Sequence, residues 1–462
     1  MIRTAARIAA GTCAGLLAAF AVAAFVSTSA LAATFTVTNT SSSIVVDGSL
    51  PHEIGLANLA GGTNSITFAS SANGTITLSG ELEITGSPTQ TLTITGNGAS
   101  NTVIDAGSLS RVFEVDSGAT LNLSGVTVQN GQAGNLSGGG ILVEGSLNIS
   151  DSSVTGNASA GFGAGVDNFG GGTVTITDTT VSDNDGDGGS GAGAANAYDG
   201  TLNIVDSTFV GNHTTNSGGG VFSDSTGTIN ITDSTFNGNR ADEGGAVDAS
   251  GAGPIDIIDS TLAFNYGDDV SNGGDATITV TGSILADSGY GQSCSAAVTD
   301  GGFNIDDGTS CGFSAPYHDL INTNPSLAAL AGNGGPTQTM ALNSGSPAID
   351  AGQSGSACTS VNDSEDQRGF VRPDVAATAC DIGAYEYGAA APTPTPTPTS
   401  TSTSTSTPTS TPAAAATTVP VPTSGAATGS TPAAPWGILA VLGIAGLLLI
   451  LAELRGRTRR PV

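Results

Sequence analysis

The sequence has no lysine, three histidines and one tryptophan, and aromatic residues make up 5% of its 462 residues. All ten basic residues are arginine, against 39 aspartates and glutamates, so the formal net charge is −29 at neutral pH. A surface this acidic repels nucleic acids and anionic membranes. We therefore expect no nucleic-acid partner.

Long apolar runs are confined to the two ends of the chain. Arg3 and Arg7 precede an apolar run over residues 9–26, and "ALA" at 30–32 offers small residues for cleavage, which predicts a signal peptide over 1–32. Residues 436–452 form an uncharged apolar segment just long enough to span a bilayer, and a basic tail, 453–462, follows it. We expect a single-pass protein of the cell membrane with its ectodomain outside the cell.

Before this apolar segment, residues 389–435 are almost entirely proline, threonine, serine and alanine. Such a composition cannot form a hydrophobic core, and it is typical of an extended spacer. The sequence therefore predicts a disordered stalk between the ectodomain and the membrane helix.

Cysteines are few and lie late in the mature chain, at Cys294, Cys311, Cys358 and Cys380. Their even number in an exported protein favours two disulfide bonds over a metal site. Three pairings are open, and the most economical joins Cys294 to Cys311 and Cys358 to Cys380.

The dominant positive feature is an internal repeat. "GTLNIVDSTFVGN" at 200–212 returns as "GTINITDSTFNGN" at 227–239, and aligned copies place an apolar residue at steps of 26 to 28 residues. Within each copy, apolar residues alternate with Asn, Thr or Asp, which indicates a short β-strand. The aligned apolar residues are Val154, Val181, Phe209, Phe236 and Leu262, with weaker copies at Val128 and Leu285.

A second motif separates the copies: "GGGILV" at 138, "GAGVDN" at 163, "GGGVFS" at 218 and "GGAVDA" at 244, where glycines permit a tight bend before another brief strand. A unit of about 27 residues with short strands cannot bury its apolar face alone, so the units must stack. The sequence predicts an all-β parallel β-helix, a solenoid in which each coil rises about 4.8 Å.

Stacking places polar residues of the repeat in rows. Amide side chains in one row can donate and accept hydrogen bonds along the stack, so we interpret this row as a structural ladder. Its members are Asn157, Asn184, Asn212, Asn239 and Asn265.

A second row consists of aspartates, whose like charges repel unless something screens or binds them. Two interpretations stay open: each carboxylate caps a turn with the following Ser or Thr, or the row coordinates calcium through hard oxygen ligands. The row comprises Asp151, Asp178, Asp206, Asp233 and Asp259.

These motifs resemble known families. "GGGI", "GGGV" and "GGAV" alternating with "FVGN" and "FNGN" are similar to the repeats of polymorphic outer membrane proteins, which implies a right-handed parallel β-helix on a bacterial surface. "FTVTNT", "GSLPHEIGLAN" and "NSITFA" resemble the N-terminal segment of such proteins. "NPSLAALAGNGGPTQTMALNSGSPAIDAG", "DQRGFVRP" and "CDIGAYEY" are similar to the terminal domain of surface proteins with a variable choice of anchor. The chain departs from autotransporters because one apolar helix, not a β-barrel, closes it.

The predicted organisation is a cap over 33–63, a β-helix over 64–290, and irregular coils with a terminal surface domain, containing the cysteines, over 291–388. We expect adhesion or the binding of extracellular glycans or partner surfaces; a polysaccharide lyase or hydrolase, or a passive surface-layer protein, are the alternatives. For catalysis, Arg240 beside Asp242 and Glu243 is the best candidate, although a surface ion pair is the favoured interpretation of these residues. Asp366 and Arg368 are expected to bind each other and hold the terminal segment. Calcium is the one cofactor considered, and the sequence does not define an oligomeric state.

Overall fold

The protein is described by a computed structural model that covers residues 32–391 except 87–88, 287, 290, 356–357, 359–363 and 375–376. The predicted signal peptide, apart from Ala32, lies outside the described residues, as do the transmembrane segment, the basic tail and all but the first residues of the stalk. Within the described residues, no helix has the length and apolar character needed to cross a membrane.

The described chain is a parallel β-solenoid in which each coil from β2 to β25 contributes one strand to each of three sheets, while the first and last coils lack some of these strands. All inter-strand ladders are parallel. Sheet A contains β1 Ala33–Val37, β2 Gly62–Phe68, β5 Gln90–Thr95, β8 Ala119–Ser124, β11 Ser146–Ser150, β14 Thr173–Thr177, β17 Thr201–Val205, β20 Thr228–Thr232, β23 Ile255–Ile258, β26 Ile278–Thr281 and β28 Thr299–Asp300.

The other two sheets follow in the same order along each coil from β2 to β25. Sheet B contains β3 Gly74–Thr77, β6 Thr102–Asp105, β9 Thr127–Gln129, β12 Ser153–Thr155, β15 Thr180–Ser182, β18 Thr208–Val210, β21 Thr235–Asn237, β24 Thr261–Ala263, β27 Ile284–Ala286, β29 Ile305–Asp306 and β30 Leu320–Ile321. Sheet C contains β4 Leu82–Ile84, β7 Phe113–Val115, β10 Ile141–Val143, β13 Val166–Asn168, β16 Ala194–Asn196, β19 Val221–Ser223, β22 Val247–Ala249 and β25 Val270–Asn272.

The aligned apolar residues form a continuous buried column, as the repeat predicts. Each residue of this column pairs with the next one along the stack, in the order Val154, Val181, Phe209, Phe236 and Leu262. The rings of Phe209 and Phe236 are fully buried and stack with centroids 4.9 Å apart. The prediction of a stacked parallel β-helix with an internal apolar ladder is confirmed.

The stack begins before residue 64 and continues past residue 290. β1 already pairs with β2, and β28, β29 and β30 extend sheets A and B at the other end. One helix, α1 Leu50–Ala60, lies between β1 and β2 and buries Leu50, Ile54 and Ala57. Its N-cap Ser49 accepts from the main-chain nitrogen of His52 at 3.4 Å. The N-terminal cap is therefore a helix added to a coil that is already part of the solenoid.

Two disulfide bonds join Cys294 to Cys311 and Cys358 to Cys380. This is the most economical of the three pairings, and the prediction of two disulfides is confirmed. The first closes an irregular coil after β27, and the second lies in the terminal segment, residues 324–388.

Candidate functional site

The asparagine row forms a buried ladder along the inside of a turn. The side-chain nitrogen of Asn157 donates to the side-chain oxygen of Asn184 at 3.0 Å, and the same bond repeats from rung to rung to Asn265 at 2.8 to 3.0 Å. Each amide also donates to a main-chain carbonyl, as Asn184 does to Val154 at 3.1 Å. These amides are fully buried and committed to backbone, so the row holds the coils in register and offers no ligand site.

A second amide ladder escaped the sequence analysis. At the end of the sheet C strands, Asn168 donates to the side-chain oxygen of Asn196 at 2.9 Å, and Asn196 donates to the carbonyl of Gly200 at 3.1 Å. These asparagines close the triplets "VDN" and "AAN", and in the sequence they read as the continuation of a strand.

The aspartate row lies at the corner between sheets A and B. All five residues adopt positive φ, from 42° to 50°, a left-handed conformation that aspartate tolerates better than most residues. The hydrogen bonds that close this corner come from the next residue: Ser207 donates its hydroxyl to the carbonyl of Val205 at 2.7 Å and accepts the main-chain nitrogen of Thr179 at 3.2 Å. The aspartate supplies the turn conformation, and the following hydroxyl supplies the cap.

Burial of this row increases from Asp151 to Asp233, and Asp259 beyond it is partly buried. Asp151 is exposed, whereas Asp233 is 1% exposed. Burial and the neighbouring Asp151 raise the pKa of Asp178 to about 6, and burial and Asp178 raise that of Asp206 to about 7. Burial also raises the pKa of Asp259, although Arg372 opposes it. The repulsion expected within the row is thus present.

The compensating charge at the buried end of the row is Arg372 from the terminal segment. One nitrogen of its guanidinium lies 2.9 Å from a carboxylate oxygen of Asp233 and donates to the carbonyl of Gly383 at 2.7 Å. Burial opposes the charge of Arg372, but Asp233 and Asp259 outweigh it and raise the arginine pKa. The guanidinium occupies the place where a cation would neutralise Asp233, so the residues present at this end do not fit a calcium site. Asp151, Asp178 and Asp206 are the part of the row left for the calcium hypothesis.

The terminal segment covers the outer face of sheet B through one buried glutamine. The side-chain nitrogen of Gln367 donates to the hydroxyl of Thr208 at 2.9 Å and lies 3.2 Å from the carbonyl of Ser207, while its oxygen accepts from Thr235 at 2.5 Å. Farther along, Thr261 accepts from the main-chain nitrogen of Ala384 at 3.1 Å. The threonine of each "STF" or "STL" triplet is therefore a docking point, a role that the sequence did not suggest.

Asp366 and Arg368 bind each other, as predicted. Two guanidinium nitrogens of Arg368 lie 2.6 and 2.9 Å from one carboxylate oxygen of Asp366. The guanidinium also packs over the rings of Phe370 and Tyr385, at 4.1 and 3.6 Å from their centroids. This buried ion pair orders the loop that carries Gln367 and has no catalytic geometry.

The outer face of sheet C is covered by the glycine-rich loops. The first glycine of each motif has positive φ, and a Cβ on Gly163 or Gly244 would lie 2.7 Å from Asp167 or Asp248. The glycines therefore allow the loops to lie directly on the strands. Phe162 from one such loop stacks on Phe222 of the sheet at 5.6 Å.

Two aspartates are enclosed beneath these loops. Asp167 and Asp248 are fully buried, and burial raises their pKa values to about 7 and about 6. Ser250 donates to Asp248 at 2.9 Å. Because both carboxylates are sealed from solvent, a substrate cannot reach them.

The outer face of sheet A is different, because the loops and the terminal segment lie elsewhere. From β1 to β20, every outward position is Thr, Ser or Asn except Val205. We call these residues the polar face: Thr63, Thr91, Thr120, Ser146, Thr173, Thr201 and Thr228 in the first column; Thr34, Ser65, Thr93, Asn122, Asn148, Thr175, Asn203 and Asn230 in the middle column; and Thr36, Thr67, Thr95, Ser124, Ser150, Thr177, Val205 and Thr232 in the third.

The polar face is ordered and uncharged. Asn148 donates to the side-chain oxygen of Asn122 at 2.8 Å, and Asn230 donates to Asn203 at 2.8 Å. A shallow groove of about 200 Å³ is lined by residues of β5, β8, β11 and β14. The first charged side chain in these columns is Asp256 on β23. A molecule with net charge −29 thus presents one neutral, regular face.

The catalytic candidate Arg240 lies away from this face. Its guanidinium sits 4.3 Å from the ring centroid of Tyr266, on the next coil, and the side chain is exposed. The other arginine of the rod, Arg111, contacts Glu81 at 3.2 Å and Glu114 at 3.4 Å. The structure therefore does not bring Arg240 together with a set of catalytic acids, whereas it does place Arg111 among carboxylates.

That carboxylate group lies at the start of sheet C, where Glu83 and Glu114 pair on neighbouring strands. Burial, Asp116 and Glu81 raise the pKa of Glu83, and burial and Glu81 raise that of Glu114 while Arg111 opposes the increase. Glycoside hydrolysis needs two carboxyl groups, one protonated as the general acid and one ionised as the nucleophile or base, and this pair supplies two neighbouring carboxyl groups.

One further group of the described residues brings three metal-ligating side chains together: Asp47, His52 and Glu53, with ligand atoms within 4.8 Å of one another. Glu53, however, accepts from the main-chain nitrogen of Gly48 at 2.9 Å, and the group lies at the N-terminus of α1, where the helix dipole disfavours a cation. The arrangement acts as a helix cap.

By its fold the chain is a parallel β-helix solenoid. Among solved structures it is similar to a pectate lyase, Pel9A, with a TM-score of 0.49 and 15% sequence identity over 77% of this chain and 96% of that one. No family model matches the chain, and no curated protein matches it.

Proposed function

We propose that this chain is an exported, membrane-anchored β-helix that acts in adhesion by binding an uncharged glycan or another uncharged partner surface through the polar face of sheet A. One observation carries this proposal: loops cover sheet C, the terminal segment covers part of sheet B, and sheet A leaves a neutral array of hydroxyl and amide groups facing solvent. The resemblance to polymorphic outer membrane proteins and to choice-of-anchor surface domains supports display at a cell surface.

The charge distribution limits the chemical class of the partner. Acidic polysaccharides and anionic surfaces would be repelled by a molecule with net charge −29, and the polar face has no cationic side chain to bind them. Hydroxyl and amide groups both donate and accept hydrogen bonds, so they match a neutral partner. Each contact contributes little because water competes for it, and adhesion arises from many contacts made together.

The test uses the full-length chain coupled to fluorescent beads. The beads are applied to a panel of surfaces that comprises neutral polysaccharides, other uncharged surfaces and, as the anionic comparison, a polyuronate. Thr175→Lys places a charge in the centre of the polar face, and Thr215→Lys, at an exposed threonine outside it, is the matched control. We expect wild type and the control to bind at least one uncharged surface and Thr175→Lys to lose that binding. Binding that prefers polyuronate, or that survives in Thr175→Lys, refutes the proposal.

A polysaccharide hydrolase is the second candidate, favoured by the paired Glu83 and Glu114 beside Arg111. If this group is catalytic, the full-length chain should release reducing ends from a neutral polysaccharide, and Glu114→Gln should abolish the release without changing the melting temperature. Glu243→Gln is the control at a glutamate outside the group. Release that is unaffected by Glu114→Gln would exclude this site.

A further inference from the structure

We propose that the surface recognised by the polar face is ice. This inference rests on the proposed function, because it names the partner that the polar face binds. If the polar face binds nothing, both proposals are wrong; if it binds an uncharged surface other than ice, this inference alone is wrong.

The first argument is geometric. Neighbouring strands lie about 4.8 Å apart and outward side chains recur about every 6.6 to 6.8 Å along a strand, so the polar face is a two-dimensional lattice with two fixed repeats. The middle and third columns hold their register across eight consecutive strands of sheet A, from β1 to β20, and the first column across seven, from β2 to β20. An ice surface is likewise a two-dimensional lattice with two fixed repeats, made of hydrogen-bonded oxygen atoms. A flexible partner has no need of such long-range order in its receptor.

The second argument is chemical. Threonine is the commonest residue of the polar face, and it presents a hydroxyl group beside a methyl group. The hydroxyl can donate to or accept from water, while the methyl group holds no liquid water in place. The absence of charge matters equally, because an ammonium or carboxylate group would organise a hydration shell that ice cannot accommodate. The shallow groove beside Asn148 and Thr175 leaves room for a row of ordered waters between two columns.

The third argument is rigidity. The residues between the outward positions, such as Leu92, Leu121 and Ile149, are buried in the core and fix each strand. Threonine is β-branched and stiff at χ1, and Asn122, Asn148, Asn203 and Asn230 are tied to neighbouring rungs by their amides. The lattice is therefore formed before binding, and little side-chain entropy is lost on contact.

Other partners fit less well. The polar face has no aromatic ring on which the apolar side of a sugar could stack. It measures roughly 34 by 13 Å, on the order of 450 Å². A stable interface with a protein or a second copy of the chain needs about 800 Å² on each side. The polar face alone is therefore too small for such an interface.

The experiment measures the fraction of purified full-length chain taken into a slowly growing ice hemisphere, together with ice-crystal shape and thermal hysteresis. We expect wild type to enter the ice and Thr175→Lys to be excluded, with a loss of about tenfold or more because the added charge and bulk separate the two lattices. Thr215→Lys should behave as wild type. Thr175→Val keeps the methyl group and replaces the hydroxyl by a second methyl, whereas Thr175→Ser keeps the hydroxyl and removes the methyl. We expect the serine variant to lose more of its uptake into ice than the valine variant. Melting temperatures of all four variants report whether the fold is intact.

The outcomes separate the two proposals. If wild type is excluded from ice but binds a neutral glycan in a manner that Thr175→Lys abolishes, the ice inference is wrong and the proposed function stands. If no surface binds through the polar face, both are wrong. Equal uptake of wild type and a correctly folded Thr175→Lys into ice also refutes the inference.

Discussion

Replacing Arg372 by alanine should detach the terminal segment from the rod. Arg372 is 3% exposed, and its guanidinium contacts Asp233 at 2.9 Å and the carbonyls of Gly383 and Asp381 at 2.7 and 3.3 Å. The substitution leaves Asp233, itself 1% exposed, without this guanidinium. Removing one partner of a buried pair costs about 3 to 5 kcal/mol, because the remaining charge is buried without compensation.

The expected loss is best measured with a double-mutant cycle. Asp233→Asn preserves the side-chain shape and tolerates the left-handed turn conformation, so it removes the charge with little backbone strain. If the two groups are coupled as the structure shows, the double variant should lose less free energy of unfolding than the two single variants lose together, by about 1 to 3 kcal/mol. Chemical denaturation gives the free energies, and hydrogen exchange at residues 364–388 shows whether the loss is local.

Arg240→Ala is the matched control, since this arginine is exposed and stacks on Tyr266. It should cost about 1 kcal/mol or less. Our reasoning would be refuted by Arg372→Ala costing no more than this control, or by single effects of Arg372→Ala and Asp233→Asn that add within about 0.5 kcal/mol.

Three further predictions concern the rod. Phe236→Ala removes a fully buried ring stacked on Phe209 and should cost about 3 to 5 kcal/mol in denaturation, whereas a change below about 0.5 kcal/mol would mean that the ring is not in the core. Burial and Asp178 raise the pKa of Asp206 to about 7, so the folded state binds this proton more tightly than the unfolded state does. The resulting stabilisation is fully present below about pH 4 and is lost as the pH rises through 7. The melting temperature should therefore fall between about pH 4 and 7, and it should fall less in Asp206→Asn. Specific calcium binding by the aspartate row would add about 2.7 kcal/mol at a hundredfold excess over the dissociation constant. Because Arg372 neutralises Asp233, we expect sodium chloride at matched ionic strength to reproduce any calcium effect, and a calcium-specific gain that Asp151→Asn and Asp178→Asn abolish would contradict this.

The sequence predicted the features that depend on neighbouring coils. A period near 27 residues is enough to place Val181 over Val154 and Asn184 over Asn157, because stacking converts sequence spacing directly into contact. The sequence left three disulfide pairings open, and the structure has the most economical one, in which each pair is joined by a short loop.

Contacts across many coils were not predictable in this way. Arg372 meets Asp233, and Gln367 meets Thr208, after separations of 139 and 159 residues, and no periodicity links these positions. Asp167 was missed because "GVDN" reads as a brief strand, and its burial depends on a glycine-rich loop lying on the sheet. The polar face was hidden by its regularity, because alternating Thr and Asn are also what a solvent-exposed strand requires.

The way the terminal segment docks also determines how the rod would carry mechanical load. A solenoid pulled from its last coil would peel one rung at a time, each strand separating in turn from its neighbour. Here the segment after β30 returns along the rod and attaches at Thr208, Thr235 and Thr261, on three successive rungs well before the last coil. Tension applied beyond residue 388 would therefore enter the solenoid at these rungs and act on several hydrogen bonds and one buried ion pair simultaneously. The segment also packs on the final coils, where Leu342, Ala348 and Ile382 share a buried cluster with Ile284, Ala286 and Ile305. The force would thus be shared between these coils and the three earlier rungs, and the rod would yield by shearing off its terminal segment before any coil unwound.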